Sequence, residues 1–176
     1  MAGADGDWRP WLKKELEKRG FIVVVPEMPD IDTPVIEKWV GKLSEVVGTP
    51  DRDTYFIGHS IGCQTILRYL ETINKPVGGA LFVAGWFDLE NLEDKGTEEI
   101  AKPWIETPID IKKVNKVLPK SILLISKDDP FGAFDENIEK FSKLMTHACV
   151  FDHAGHFTEL EDSNILSQFM DLVQPN

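Results

Sequence analysis

At 176 residues the chain is long enough for one domain with a substantial core and too short for two ordinary ones. Apolar residues make up 42% and charged residues 28%, the balance of a folded globular chain rather than a disordered one. A net charge of −11 argues against nucleic acid and anionic membrane surfaces as partners, because both repel an acidic face.

No run of eighteen apolar residues is present, so no membrane-spanning helix is expected. Residues 1–7 are neither basic nor apolar and do not read as a secretory leader. Cys63 and Cys149 alone make no disulfide framework, and a reduced, cytoplasmic protein is the simpler expectation.

In chain order, Asp7 is placed to cap a helix over 8–19, with Trp8, Trp11, Leu12 and Leu16 on one face and Gly20 at its end. Phe21-Ile22-Val23-Val24-Val25 is a short β-branched run stopped by Pro26 and predicts a buried strand. Thr33-Pro34 predicts a helix start, and Ile36, Trp39, Val40, Leu43 and Val47 stripe that helix up to Gly48. A strand is predicted over 54–57, then a helix to about Ile73, then a strand over 78–84. Residues 85–110 are acidic and lack a clear period, and read as an insertion forming a pocket wall. Asp110 is a cap for a short helix to Val117, and Ser121–Ser126 is a strand. A helix over 135–145, a strand over 148–151 and a last helix over 161–173 complete the chain. Alternating strands and helices imply the α/β class, a doubly wound and mostly parallel sheet in a single domain over 1–176.

Gly58-His59-Ser60-Ile61-Gly62 stands between the predicted strand 54–57 and the helix that follows. A serine between two glycines at such a corner is the nucleophile elbow of an α/β-hydrolase. Both glycines are expected because a side chain at either would crowd the corner. The elbow lifts the hydroxyl to a helix N-terminus, where dipole and free amides favour developing negative charge. The motif is short and recurs by chance, so its context carries the weight.

In an open parallel sheet, reactive groups collect beyond the carboxyl ends of strands. Ser60 follows the strand 54–57, Asp128 and Asp129 follow 121–126, and His156 follows 148–151. Serine, aspartate, histidine is also the α/β-hydrolase chain order. A serine hydroxyl needs a base, a neutral imidazole supplies it near neutral pH, and a carboxylate holds the ring in the right tautomer. Asp129 is preferred over Asp128 because Pro130 restricts it to an extended backbone, whereas Asp128 reads as a solvated loop carboxylate. Each also has an ordinary structural reading: Ser60 as a helix cap, Asp129 as a turn residue, His156 as a loop histidine. His59 reads as a packed neighbour of the elbow. His147, His153 and His156 fit no strong metal-ligand spacing, and neither metal nor cofactor is expected. Trp86, Phe87, Trp104 and Phe131 either line an acyl pocket or pack in the core.

With these residues in place, the chain resembles the small α/β-hydrolase-fold serine hydrolases typified by bacterial YdeN and human retinoblastoma-binding protein nine. The resemblance runs along nearly the whole length, through Trp11-Leu12-Lys13-Lys14-Glu15-Leu16, Met28-Pro29-Asp30, Gly58-His59-Ser60, Pro103-Trp104, Lys127-Asp128-Asp129-Pro130-Phe131 and Gly155-His156-Phe157. It implies a triad of Ser60, Asp129 and His156, with the Ile61 amide as one oxyanion donor. It also implies that an apolar strand and a glycine loop precede the helix near Trp8, where this sequence has only Gly3 and Gly6. A minimal, N-terminally truncated version of the fold is therefore expected, without one central strand and one oxyanion amide. Either 21–25 pairs directly with 54–57, or the true start lies upstream. Two functions follow as expectations: a serine hydrolase of small ester or acyl substrates, and a catalytically impaired relative that binds a protein or small ligand in the same cleft.

Overall fold

The computed structural model describes residues 6–92, 95–144 and 146–174. In chain order these form α1 (Arg9–Glu17), α2 (Ile36–Val47), β1 (Tyr55–His59), α3 (Ile61–Leu70), β2 (Gly79–Val83), α4 (Lys95–Glu106), α5 (Ile111–Val117), β3 (Ser121–Ser126), α6 (Phe134–Phe141), β4 (Thr146–Phe151) and α7 (Ser163–Val173). The four strands make one parallel sheet in the order β1-β2-β3-β4. Right-handed crossovers that step always the same way leave their helices on one face. Accordingly α3, α5 and α6 share a core with Phe82 and Leu123, through Leu67, Leu70, Val117 and Phe141. α1 and α7 close the opposite face, where Leu12, Leu16, Phe169 and Leu172 meet Leu81 and Leu124. β2 and β3 are buried at every position, so both read as unbroken apolar runs. The α/β class with a parallel sheet covered on both faces is as the sequence predicts.

Local signals place some elements to the residue. Asp110 caps α5, its carboxylate accepting the Lys112 and Lys113 amides at 3.1 Å each. Asp162 caps α7 through the Asn164 and Ile165 amides. Other boundaries move. α2 begins at Ile36 rather than at Pro34, because Val35 ahead of it is extended. α3 ends at Leu70, short of Ile73. α6 runs Phe134–Phe141, and Met145, which the sequence places at its end, lies outside the described residues, as does Gly3.

Three expectations are corrected. The segment 21–25 is not a strand. It keeps the alternation of one: Phe21 and Val23 lean on the core under α7, while Ile22 is 97% and Val24 62% exposed. Phe21 and Tyr55 both meet the Phe169 ring edge-on, yet no ladder joins their segments. Apolar composition makes a segment extended, but only a neighbouring strand makes it a β-strand. Direct pairing of 21–25 with β1 therefore does not occur.

Asp7 is not a helix cap. Trp8 occupies that position without a side-chain bond, and the Asp7 carboxylate instead meets the Arg9 guanidinium at 3.0 Å.

Residues 85–110 are not irregular throughout, since 95–106 form α4. Pro103 inside that helix and its acidic turns hide the period. Its buried anchor is Trp104, which donates its indole N–H to the Pro34 carbonyl at 3.1 Å and packs edge-on to Trp39. Arg68 passes over the Trp104 ring and bonds the Trp104 and Thr107 carbonyls at 2.8 and 2.7 Å. Trp104 is thus core. Phe87 is also packing, against Phe141 with ring centroids 4.9 Å apart.

Candidate active site

Ser60 stands between β1 and α3 with φ 52° and ψ −121°, a conformation that L-residues rarely adopt. Its amide bonds the Val83 carbonyl at 2.9 Å, extending the β1–β2 ladder to the corner. The hydroxyl makes no capping bond to α3, so the ordinary helix-cap reading fails. The two glycines of the elbow differ. A Cβ on Gly58 would lie 2.9 Å from the Cys63 amide nitrogen and 2.7 Å from Ile66 Cδ1. A Cβ on Gly62 would meet nothing within 4 Å, so crowding explains Gly58 alone and corrects the expectation for both.

The loop after β3 carries Asp129, whose side chain is 6% exposed. Its Oδ2 stands 2.8 Å from His156 Nδ1, and its Oδ1 accepts the Phe131 amide at 3.0 Å. One carboxylate therefore serves as both turn residue and ring partner. Since the carboxylate accepts, Nδ1 carries the proton and Nε2 is left as the basic nitrogen. Asp128 is no idle loop residue either. Its Oδ1 accepts the Ser126 hydroxyl at 2.6 Å and the Gly155 amide at 2.8 Å. Those two donors, the hydroxyl foremost, hold its carboxyl below the usual range. Asp128 thus ties the loop after β3 to the loop after β4.

His156 follows β4 as predicted, with its ring largely buried and edge-on to Phe131 at 5.3 Å. Trp86, Leu89, Asp129, Phe131, Gly132 and His156 line one cleft. Trp86 also donates its indole N–H toward Ser60 Oγ at 3.3 Å, which links the elbow to the cleft. Among the described residues no hydrogen bond joins Ser60 Oγ to the His156 ring. The Ile61 amide opens α3, where an amide has no carbonyl within its own helix to bond. A larger groove of about 490 Å³ runs along α1 past Trp11, Lys14 and Leu160, but it holds neither Ser60 nor His156.

Sequence reasoning missed the groups that hold this arrangement. Gln64 donates to the Trp86 carbonyl at 2.8 Å. Buried Asn137 accepts the Phe87 and Asp88 amides at 2.7 and 3.0 Å and returns a bond to the Asp88 carbonyl. A polar side chain on the core face of a helix was the available signal for both. His59 is more than a packed neighbour: its Nε2 donates to the His156 carbonyl at 2.7 Å. Burial pushes the His59 ring down to about 4, so it stays neutral and keeps that tautomer.

A parallel α/β sheet with a strained serine at one strand end and a carboxylate–imidazole pair at two others defines the class of α/β-hydrolase-fold proteins. Residues 2–173 match the serine hydrolase family, and the chain belongs to it. It is similar to YdeN of Bacillus subtilis (strain 168), named as a hydrolase, with 28% identity over 98% of this chain and 89% of that one. It is similar to the serine hydrolase RBBP9 of Rattus norvegicus, with 27% identity over 96% and 87%. The crystal structure of the ydeN product superposes with a TM-score of 0.87 at 26% identity, covering 98% of this chain and 93% of that one. A meta-cleavage product hydrolase, CumD, shares the fold at a TM-score of 0.70 and 11% identity, covering 97% and 84%.

Proposed function

We propose that this serine hydrolase cleaves a small ester or related acyl substrate through Ser60, His156 and Asp129, by way of an acyl-enzyme. Ser60 Oγ attacks the acyl carbonyl while His156 Nε2 takes its proton. Asp129 holds the Nδ1–H and stabilises the imidazolium. The Ile61 amide, at the head of α3, donates to the oxyanion. The imidazolium returns its proton to the departing group, and water then resolves the acyl-enzyme by the same path reversed. Trp86 and Phe131 shape the acyl side of the cleft. Two free thiols, one of them buried, fit a reduced cytoplasmic setting.

The observation that carries this reading is the 2.8 Å contact between His156 Nδ1 and a buried Asp129 carboxylate, in a protein whose elbow serine serves no structural cap. A fluorophosphonate should label Ser60, and Ser60→Ala should remove the label. A folded protein that stays unlabelled would falsify the reading.

The alternative, a binding protein that has lost turnover, draws on the absent bond between Ser60 and His156. It requires that no short ester be hydrolysed and that ligand binding survive Ser60→Ala. Turnover that vanishes in His156→Ala excludes it.

A further inference from the structure

The two carbonyls at and just after His156 are each held by a buried ring N–H from a distant part of the chain. His59 Nε2 donates to the His156 carbonyl at 2.7 Å, across 97 residues. Trp8 Nε1 donates to the Phe157 carbonyl at 3.0 Å, across 149 residues. The two donor rings touch edge-on, with centroids 5.8 Å apart at 77°. Trp8 is buried, and the His59 side chain is 9% exposed. Among the described residues neither donor has another acceptor: an indole has one N–H, and the neutral His59 ring carries its single N–H on Nε2.

The backbone they grip is held in unusual shape. Gly155 has φ 51° and Phe157, a bulky L-residue, has φ 53°. Such a turn persists only where its surroundings over-determine it. Its amide side is pinned by other groups, since Ala154 N–H bonds Ser126 Oγ at 2.9 Å and Gly155 N–H bonds Asp128 Oδ1 at 2.8 Å. The ring donors supply the carbonyl side. We propose that Trp8 and His59 form a clamp that positions the His156 imidazole, by holding the carbonyls of the strained turn that carries it. Neither is a catalytic residue, because neither touches the reacting atoms; both act through His156. The clamp rests on the reading of His156 as the base. It adds two positioning residues, one at the start of α1 and one at the end of β1, and it gives the histidine of Gly58-His59-Ser60 a reason that packing alone does not. Reactive groups displaced by about 1 Å lose on the order of 10² in rate, so a loosened turn should be visible in kcat.

The experiment compares His59→Phe, which keeps a ring and removes the donor, with His59→Gln, which restores an N–H, and with Trp8→Phe. For a short ester, His59→Phe should lower kcat about tenfold or more while KM stays within about twofold, and His59→Gln should recover most of the loss. Trp8→Phe should act in the same direction. A second readout needs no turnover: the low-field proton NMR signal of the His156 Nδ1–H, assigned by its loss in His156→Asn. It should exchange faster with water in His59→Phe and Trp8→Phe and return toward the parent rate in His59→Gln. Parent exchange rates in both phenylalanine variants would overturn the clamp, and so would a glutamine variant no better than the phenylalanine one. A parent protein without Ser60-dependent turnover sinks the proposed reaction instead, and the NMR comparison still decides the clamp. Should His59→Phe fail to fold, Trp8→Phe carries the same comparison with a single buried N–H removed.

Discussion

The Trp86 indole nitrogen stands 3.3 Å from Ser60 Oγ, with the ring buried and its own carbonyl bonded by Gln64. A hydroxyl that accepts there still has its hydrogen free for a base, so the contact is compatible with attack. It also fixes where the hydroxyl oxygen points before attack.

Trp86→Phe keeps the ring and removes that donor. The bond is long, so its loss should cost only about 1 kcal/mol at the transition state, or about fivefold in the rate of fluorophosphonate labelling. Faster labelling in the variant would mean that the indole restrains the serine instead of assisting it.

Asp129 and Asp128 are adjacent and bonded to different things, which makes them separable. In Asp129→Asn the amide oxygen stays with the Phe131 N–H, so the NH2 faces His156 Nδ1 and selects the wrong ring tautomer, which should lower kcat by about 10³–10⁴. Asp128→Asn keeps an oxygen for Ser126 and Gly155 and should stay within about tenfold of the parent. Ester hydrolysis by the two variants, measured side by side, decides between them; the reverse order would assign the ring partner wrongly.

The elbow glycines should respond in opposite directions. Gly58→Ala pushes a methyl against the Cys63 backbone and should cost about 1–3 kcal/mol, because backbone cannot step aside as a side chain does. Gly62 lies inside α3 with open space around it, so Gly62→Ala should be neutral or stabilising by up to about 1 kcal/mol. Urea unfolding of both variants checks this, and equal losses would contradict the clash.

His59 ties stability to pH. Its folded value is about 4, set chiefly by burial, against about 6.5 in an unfolded chain. Between those values the unfolded state binds a proton that the folded state refuses. Stability from this residue is therefore complete above about pH 6.5, falls as pH drops toward 4, and falls no further below. The whole loss is about 3 kcal/mol. Asp7, Arg9 and His156 surround the ring and remain in His59→Gln, so subtracting that variant isolates the residue. Urea midpoints followed from pH 4 to 7 should show the extra slope in the parent alone.

The sequence by itself determined the elements whose cause is local. Asp110 and Asp162 cap the helices they precede, and Ser121–Ser126 is a strand because six apolar or small residues run between clear breaks. It also placed Ser60, Asp129 and His156 at three strand ends, since chain order and turn chemistry are written in neighbouring residues. Tertiary structure decided what depends on a partner. The run 21–25 has the composition of a strand and no ladder, because a strand exists only beside another. Trp104 went to the core and Trp86 to the serine, although the two look alike in sequence. The bonds from Trp8 and His59 to the turn carrying His156 span 149 and 97 residues, and no period or spacing announces such a meeting. Hydrogen bonds across those distances exist only after the two faces of the sheet have been covered and the strand ends brought level.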